Sequence, residues 1–228
     1  MKFAAPLIPG RLIRRYKRFL ADIELETGEE VTAHCANPGA MLGLNEPGLR
    51  VWVEPNDNPK RKLKYAWRLV QMDGHFAGID TSVPNRVVGE ALRAGLIPGL
   101  HGPVRAEVPY GTNSRVDFLL GEGTFVEVKN VHLMRDRGLA EFPDCVTARG
   151  AKHLHELAAQ VASGKRAVML YCIQRTDCTR MRLARDLDPG YHAAYLTARR
   201  AGVEAIAWTC RIARDEIFLD RPIPIEET

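Results

Sequence analysis

The sequence predicts an α+β fold of two domains, a small β-barrel of the OB type over residues 1–82 and a mixed sheet flanked by helices over residues 83–228. Three observations predict this division. The first 80 residues contain about five short strand patterns and no convincing helix. Helical patterns begin only after Pro84. The first two helical patterns then enclose three consecutive strand patterns, which favours a mixed sheet over strict alternation of strand and helix.

The predicted barrel strands are short runs in which apolar residues alternate with polar ones or follow one another directly. Residues 21–26 alternate apolar and charged side chains, and Thr27 and Gly28 supply a turn before the extended pattern resumes. These residues predict a β-hairpin with one buried face. In chain order, the strand candidates are residues 11–19, 21–26, 30–34, 48–54, 65–72 and 78–81.

The second domain has clear signals at its helix ends and in its buried strand. Thr147 is the predicted N-cap of a helix that stops at Gly164, with Leu154 and Leu157 in its apolar stripe. Residues 167–173 are continuously apolar, as expected of a strand buried on both faces. The predicted order is helix 85–95, strands 105–110, 115–120 and 124–131, helix 148–163, strand 167–173, helix 191–201 and strand 203–208.

Charge, hydropathy and cysteine spacing limit the classes of protein to which this chain can belong. The formal net charge of +4 and the pI near 8.9 favour a polyanionic partner without requiring one. No apolar run approaches the roughly 20 residues that span a bilayer, and the first residues lack the apolar core of a secretory signal. The five cysteines are widely scattered, which indicates reduced structural thiols. We therefore expect a cytoplasmic protein with no membrane partner.

Three charged residues on neighbouring strands form the main candidate site. Glu127 and Lys129 are two apart on one predicted strand, so their side chains share one face of the sheet. A hairpin around residues 121–123 can place Asp117 across from them. Two carboxylates this close are costly unless a cation lies between them, and a hard divalent cation with oxygen ligands is the usual solution. The alternative is a surface ion pair worth roughly 0–1 kcal/mol.

The spacing Asp-x9-Glu-x-Lys matches the core pattern of the PD-(D/E)xK nuclease superfamily, although Val116 stands where the name of that pattern has proline. In such a centre Asp117, Glu127 and Lys129 are catalytic, and Mg²⁺ or Mn²⁺ activates a water molecule. We expect the main-chain carbonyl of Val128 to assist the two carboxylates in binding the metal. Two further acidic residues are candidates for a third carboxylate ligand, Glu90 and Glu107.

Basic residues interleaved with aromatic ones predict a nucleic-acid surface on the barrel. Residues 11–19 hold five basic and two aromatic side chains, and a second basic stretch follows at residues 60–64. Cations contact phosphates and flat rings stack on unpaired bases, so this pattern suits DNA, with single strands and RNA left open. The alternative is a solvated basic face over core aromatics. The predicted contacts are Arg14, Arg15, Tyr16, Lys17, Arg18, Lys60, Arg61, Lys62 and Lys64, with Arg149 and Lys152 on the second helix.

Six longer motifs resemble those of the sugar fermentation stimulation protein A family. The resemblance implies an N-terminal OB-like domain, a C-terminal PD-(D/E)xK nuclease-like domain, DNA binding without sequence specificity, and a regulatory link to the use of sugars such as maltose. It does not imply cleavage. The motifs are residues 10–22 (GRLIRRYKRFLAD), 31–39 (VTAHCANPG), 57–63 (DNPKRKL), 113–120 (NSRVDFLL), 126–131 (VEVKNV) and 142–154 (FPDCVTARGAKHL).

Three functions from different classes remain open at this point. The intact trio of Asp117, Glu127 and Lys129 favours an active metal-dependent nuclease. The family resemblance favours a DNA-binding or regulatory protein that uses the nuclease fold as a scaffold. A metal-dependent enzyme that acts on a small phosphorylated substrate is the third, and the two long basic stretches argue against it. We rank DNA binding first and regard cleavage as a latent activity.

Overall fold

The computed structural model describes residues 1–111 and 113–226, so residues 227 and 228 of the predicted second domain lie outside the described residues. Within these ranges no helix is long and apolar enough to cross a membrane. The helices are Val83–Arg93 (α1), Ala148–Ala162 (α2) and Pro189–Arg200 (α3). The strands are Ile8–Tyr16 (β1), Leu20–Leu25 (β2), Glu30–Cys35 (β3), Arg50–Pro55 (β4), Tyr65–Met72 (β5), His75–Gly78 (β6), Val104–Tyr110 (β7), Ser114–Leu120 (β8), Thr124–Val131 (β9), Leu133–Asp136 (β10), Leu139–Phe142 (β11), Arg166–Ile173 (β12), Arg180–Leu183 (β13), Glu204–Ile212 (β14), Ile217–Ile223 (β15) and Ile225–Glu226 (β16).

The N-terminal strands form the predicted closed OB barrel. Their order is β3-β2-β1-β4-β5, and parallel pairing between β3 and β5 closes the ring. The alternating pattern of the hairpin holds, because Ala21, Ile23 and Leu25 are all buried in the barrel core. Trp67 is fully buried beside them, and its indole N–H donates to the carbonyl of Leu69. The strand candidate at 78–81 corresponds to β6, which lies three residues earlier, pairs with β5 and forms an isolated bridge from Ala77 to Arg175.

The first basic stretch is divided between a strand and a turn, which corrects the prediction of one strand over residues 11–19. Strand β1 ends at Tyr16, and the chain reverses over Lys17, Arg18 and Phe19. Lys17 and Arg18 have φ angles of 45° and 64°, the left-handed conformation that a tight hairpin connection requires. The last part of the basic stretch therefore projects from a loop, where alternation along β1 does not apply.

The C-terminal domain is built on the predicted mixed sheet, in the order β15-β14-β12-β9-β8-β7. Strands β9, β12 and β14 are parallel, and the outer pairings are antiparallel. Helix α1 packs its apolar stripe on one face, and α2 and α3 pack on the other. Residues 167–173 of β12 are buried on both faces, as predicted.

A second small sheet, in the order β10-β11-β13-β16, was not predicted. Its strands are short and rich in charge, so their sequence is typical of a solvated loop. Glu141 of β11 is nevertheless 1% exposed, because Arg135 and Arg182 both donate to its carboxylate. The pairing of β11 with β13 joins residues about 40 positions apart, and a local sequence pattern does not report such a partner.

Buried polar groups connect the barrel to the sheet across the predicted boundary at residue 82. The fully buried Gln174 donates to the carbonyl of Asp80 at 3.0 Å and to the side chain of Asn130 at 2.7 Å. On the barrel side, Asp80 is ion-paired with Arg68. Because buried hydrogen bonds of this kind are costly to leave unmade, they hold the two parts of the chain in one arrangement.

Candidate functional site

The predicted trio lies where strands β8 and β9 separate. Their antiparallel ladder runs from Leu120↔Thr124 to Phe118↔Val126 and then stops. The next residues in this register are Asp117 and Glu127, which therefore face each other immediately beyond the last pair. The predicted hairpin is confirmed.

The backbone of Val128 contributes to the same gap. Its N–H lies outside the ladder and donates to Oδ2 of Asp117 at 2.7 Å. In an extended strand, the carbonyl of a residue points to the same neighbour as its own N–H. The carbonyl of Val128 therefore points toward β8, on the side of the two carboxylates. The proposal that it assists metal binding stays a prediction.

Glu127 is almost completely enclosed. One carboxylate oxygen, Oε1, accepts from Nζ of Lys129 at 2.6 Å and contacts Nδ1 of His153. Burial raises the pKa of Glu127, but the hydrogen bond from His153 and the charge of Lys129 outweigh it and leave the pKa below its usual value. The other oxygen, Oε2, is buried and has no hydrogen-bond partner among the residues described.

Asp117 has the opposite electrostatic balance. Burial and the nearby charge of Glu127 raise its pKa to about 6, although Val128 and Asn85 both donate to its carboxylate. Asn85 lies on α1, and its amide contacts Oδ1 of Asp117 at 2.6 Å. The pKa of Glu127 is lowered and that of Asp117 is raised. Such a split is expected when two carboxylates lie close together, because their like charges repel.

The residues present fit a divalent cation. Two carboxylates and a main-chain carbonyl are the oxygen ligands that Mg²⁺, Mn²⁺ and Ca²⁺ accept, and the buried Oε2 of Glu127 lacks another partner. Over residues 1–111 and 113–226, no group of three or more His, Cys, Asp or Glu side chains has the spacing of a metal site. The remaining ligands would therefore be main-chain oxygens, uncharged side-chain oxygens or water.

The two additional acidic candidates lie in different places. The carboxylate of Glu90 accepts a hydrogen bond from the amino group of Met1 at 2.6 Å. That amino group also donates to the carbonyl of Ile217 in β15, which lies at the opposite edge of the sheet from β8. The structure therefore does not bring Glu90 to Asp117. Glu107 is exposed in β7 with a φ of 54°, which interrupts the regular pairing with β8. Glu107 lines the cleft and lies across from Asp117 in the β7–β8 register, but among the described residues it does not form a three-carboxylate group with Asp117 and Glu127.

An open cleft of about 630 Å³ leads to the centre from the side of α2. Both helix residues predicted to touch phosphate line it. Nε of Arg149 lies 3.4 Å from Nε2 of His153, and Lys152 is ion-paired with Glu156 at 3.6 Å. The wall of the cleft is formed by Glu107, Pro109, Asn113, Ser114, Arg115, Arg149, Lys152 and His153.

The sequence did not identify His153 or Asn85 as parts of the centre. His153 belongs to the polar side of the predicted helix, but the structure buries it to 5% exposure against Glu127. The available signal was its position next to Leu154 and Leu157, where a polar side chain borders the apolar stripe. Asn85, at the start of α1, offered no comparable signal.

The predicted nucleic-acid residues of the barrel separate into two groups. Arg14 donates to Asp22 at 2.8 Å, and the hydroxyl of Tyr16 donates to the same carboxylate. Arg15 donates to the main-chain carbonyls of Arg18, Asn37, Gly39 and Ala40, so it holds the loop after β3 in place. The second group is exposed and makes no side-chain hydrogen bond or ion pair in the described part of the chain; it comprises Lys17, Arg18, Lys60, Arg61, Lys62 and Lys64.

Comparison with known proteins decides the family. The model described as the SfsA N-terminal OB domain matches residues 13–79, and the model described as the sugar fermentation stimulation protein RE domain matches residues 82–216. The chain belongs to the sugar fermentation stimulation protein family. This confirms the resemblance seen in its motifs.

Relatives in this family match the chain from end to end. A sugar fermentation stimulation protein homolog from Dinoroseobacter shibae is 62% identical, over 99% of this chain and 96% of the relative. A homolog from Jannaschia sp. is 58% identical, over 99% of this chain and 97% of the relative. A solved structure of SfsA from Pyrococcus furiosus in complex with Ca²⁺ has a TM-score of 0.88 at 26% identity, and the alignment covers 100% of this chain and 98% of that one.

Proposed function

We propose that this protein binds nucleic acid without sequence preference and carries a divalent-metal phosphodiesterase centre in its C-terminal domain. The observation that carries the proposal is the gap between β8 and β9. There Asp117 and Glu127 face each other, and Lys129 contacts both Glu127 and His153, a residue that lines the cleft together with Arg115, Arg149 and Lys152. A surface ion pair does not account for this arrangement, because the side chain of Glu127 is only 2% exposed.

A divalent cation supported by Asp117, Glu127 and the carbonyl of Val128 would polarise a phosphoryl oxygen and activate water. The Ca²⁺ in the related Pyrococcus furiosus structure supports a divalent cation for this chain as well. The oxygen-rich donor set suits Mg²⁺ and Mn²⁺ equally. A metal–oxygen distance of about 2.0–2.1 Å would identify Mg²⁺, and a longer one of about 2.3–2.6 Å would identify Ca²⁺.

The chain's own residues have separate tasks in this centre. Lys129 holds a positive charge against Glu127, and we propose that this charge stabilises the negative charge that accumulates on the phosphoryl oxygens in the transition state. Asn85 and the N–H of Val128 fix the orientation of Asp117 by donating to both of its oxygens. His153 restrains Glu127 by contacting the same carboxylate oxygen as Lys129. Arg149 and Lys152 lie where they can bind phosphates next to the one that reacts.

The scaffold alternative also has an observation in its favour. Lys129 and His153 both contact the same oxygen of Glu127, so the centre contains a closed ion-paired cluster. Such a cluster could support a fold without turning over a substrate. A regulatory role in sugar use is supported only by the family resemblance. In that role the protein would act by binding nucleic acid.

Incubation with nucleic acid separates these proposals. Single-stranded and double-stranded DNA and RNA would be incubated with the full chain in Mg²⁺, Mn²⁺ or EDTA, and products would be resolved by length. We expect shortened products with Mg²⁺ or Mn²⁺ and none with EDTA. Binding without shortened products in either metal would leave the scaffold alternative and contradict the phosphodiesterase.

The salt dependence of binding tests the role of the barrel. We expect the variant that combines Lys17→Ala, Lys62→Ala and Lys64→Ala to flatten the slope of log K against log salt by roughly 0.7–0.9 per residue, similarly for unrelated sequences. The control is Lys165→Ala, which removes an exposed lysine from the other domain. Equal slopes for the triple variant and the wild type would exclude the barrel from the nucleic-acid surface.

A further inference from the structure

The barrel exposes an aromatic pair at its β1–β2 turn. Phe19 is 44% exposed, although large apolar side chains are usually buried. Its ring is stacked on that of His34 in β3, with centroids 6.5 Å apart and planes inclined by 21°. His34 is exposed as well, so the outer faces of this pair meet solvent. Neither ring is needed for the barrel core, which leaves the exposed stack without a structural role.

A shallow apolar pocket adjoins this pair. It has a volume of about 370 Å³, within the roughly 300–1,000 Å³ of small-ligand sites. Parallel pairing of β3 with β5 brings His34 beside Ala66, and Tyr65, which is half-buried and packs partly against the barrel core, also lines the pocket. Leu63 completes the apolar surface, and Arg61 and Lys62 form the charged wall. Flat and apolar groups therefore line a depression that opens beside a cationic loop.

Cations predominate around this pocket and are available to a ligand, although the loop before Tyr65 also carries the exposed Asp57. Lys17 and Arg18 precede Phe19 in the turn, and the loop that ends at Tyr65 carries Lys60, Arg61, Lys62 and Lys64. None of these six cations has a side-chain partner among the residues that the structure describes. Arg14 and Arg50 on the neighbouring barrel surface are instead paired with Asp22 and Glu26. A cluster of free cations around exposed rings calls for a ligand with both negative charge and flat apolar faces.

We propose that Phe19, His34 and Tyr65 form a base-stacking subsite for single-stranded nucleic acid, with the six cations on the two loops binding its phosphates. This inference rests on the nucleic-acid binding proposed above and adds the strandedness of the ligand. In a duplex the faces of the bases are covered by their neighbours, so only unpaired bases can stack on these rings. A neutral oligosaccharide could cover the rings but would leave the six cations without partners.

Three ligands of about 12 nucleotides separate the contribution of base stacking to affinity from the contribution of phosphate charge. They are a single strand of mixed sequence, the corresponding duplex, and an abasic strand that keeps the phosphates without the bases. Binding to the full chain would be followed by fluorescence anisotropy in EDTA, which prevents cleavage. We expect the single strand to bind more tightly than the abasic strand by about 5- to 150-fold for each stacked base.

Variants of Phe19 test the ring itself. Phe19→Leu keeps an apolar side chain but removes the ring, and we expect it to lose about 5- to 150-fold in affinity for the single strand and little for the duplex or the abasic strand. Phe19→Trp should retain the preference. Leu96→Ala is the matched control, since Leu96 is 61% exposed in the other domain. Tyr65→Leu repeats the test at the second ring.

The outcomes distinguish this inference from the function on which it rests. Equal affinity for the abasic and base-containing strands, or unchanged single-strand affinity in both Phe19→Leu and Tyr65→Leu, would overturn the stacking subsite and leave nucleic-acid binding intact. Displacement of the single strand by a neutral maltooligosaccharide would overturn it in favour of a carbohydrate site. Failure of the wild type to bind any of the three ligands would overturn both proposals.

Discussion

Lys129→Ala is expected to lower the rate of metal-dependent cleavage by about 10²–10³, equivalent to roughly 2.7–4 kcal/mol, while changing nucleic-acid affinity far less. The reason is that Lys129, ion-paired with Glu127 in the proposed centre, would act mostly on the transition state. Single-turnover cleavage, with binding measured separately in EDTA, resolves the two effects. Lys152→Ala is the matched control, because Lys152 lies in the same cleft but is 48% exposed in its side chain. It should affect binding more than turnover.

Asp117→Asn completes this test. It should abolish cleavage and leave nucleic-acid affinity equal or tighter, because one negative charge is removed from beside the phosphates. Equal residual cleavage in the wild type, Lys129→Ala and Asp117→Asn would point to a contaminating nuclease. A wild type that binds but does not cleave, together with Lys129→Ala behaving as the loss of one phosphate contact, would identify the fold as a binding scaffold.

The second large effect is on how the stability of the folded protein depends on pH in EDTA. Ionisation of Asp117 should lower this stability as pH rises, which is the reverse of the usual effect of an aspartate. Its pKa of about 6 in the folded protein lies above the usual value of an unfolded aspartate, because of burial and the charge of Glu127. Between about pH 4 and 6 the folded state therefore binds more protons than the unfolded state, and its stability falls as pH rises. We expect Asp117→Asn to gain about 2–3 kcal/mol relative to the wild type from pH 4 to pH 7.

Asp144 provides an internal control of opposite sign. Burial raises its pKa, but the hydrogen bond and charge of His132 outweigh this and lower it to about 2. Its stabilising contribution is present above the unfolded pKa and is lost as pH falls through about 2. Asp144→Asn should therefore lose stability near neutral pH. Denaturant unfolding at a series of pH values checks both variants, and parallel curves for Asp117→Asn and the wild type would contradict the raised pKa.

Addition of a divalent metal at pH 7 should offset the loss of folding stability that the ionised Asp117 causes. A divalent cation that binds the ionised pair stabilises the folded state by mass action, so Mn²⁺ should raise the melting temperature of the wild type. The same addition should have little effect on Asp117→Asn. An equal rise in both proteins would place the bound cation elsewhere. Crystals soaked in Mn²⁺ would then be expected to show no anomalous peak within reach of Asp117 and Glu127.

The arrangement of the candidate trio, Asp117, Glu127 and Lys129, followed largely from local rules. Side chains alternate along a strand, so Glu127 and Lys129 had to share a face. The short connection at residues 121–123 then set the register that brings Asp117 opposite Glu127. Apolar periodicity and end signals likewise located the helices, since the N-cap at Thr147 and the stop near Gly164 agree with α2. These features depend on residues that are close in sequence.

The contacts of individual basic residues could not be predicted in this way. Arg14, Arg15 and Lys17 look alike in the sequence, yet the first pairs with Asp22, the second binds carbonyls of a distant loop, and the third is exposed in a turn. Whether a cation is available to a ligand depends on the acceptors that the fold brings near it. Glu90 and Glu141 show the same limit for acids, because their partners lie far away in the chain or on strands without a local signature.

The sequence by itself determined the family, the OB barrel, the mixed sheet with its helices, and the face shared by Glu127 and Lys129, because periodicity, turns and long motifs are local properties. Only the tertiary structure decided that Asn85 and His153 belong to the centre, that Glu90 does not, and that six of the basic residues remain unpaired around exposed rings. These facts depend on which distant groups meet and on how much water remains between them. Burial and pairing decide the charge state of a side chain, and both arise only when the chain is folded.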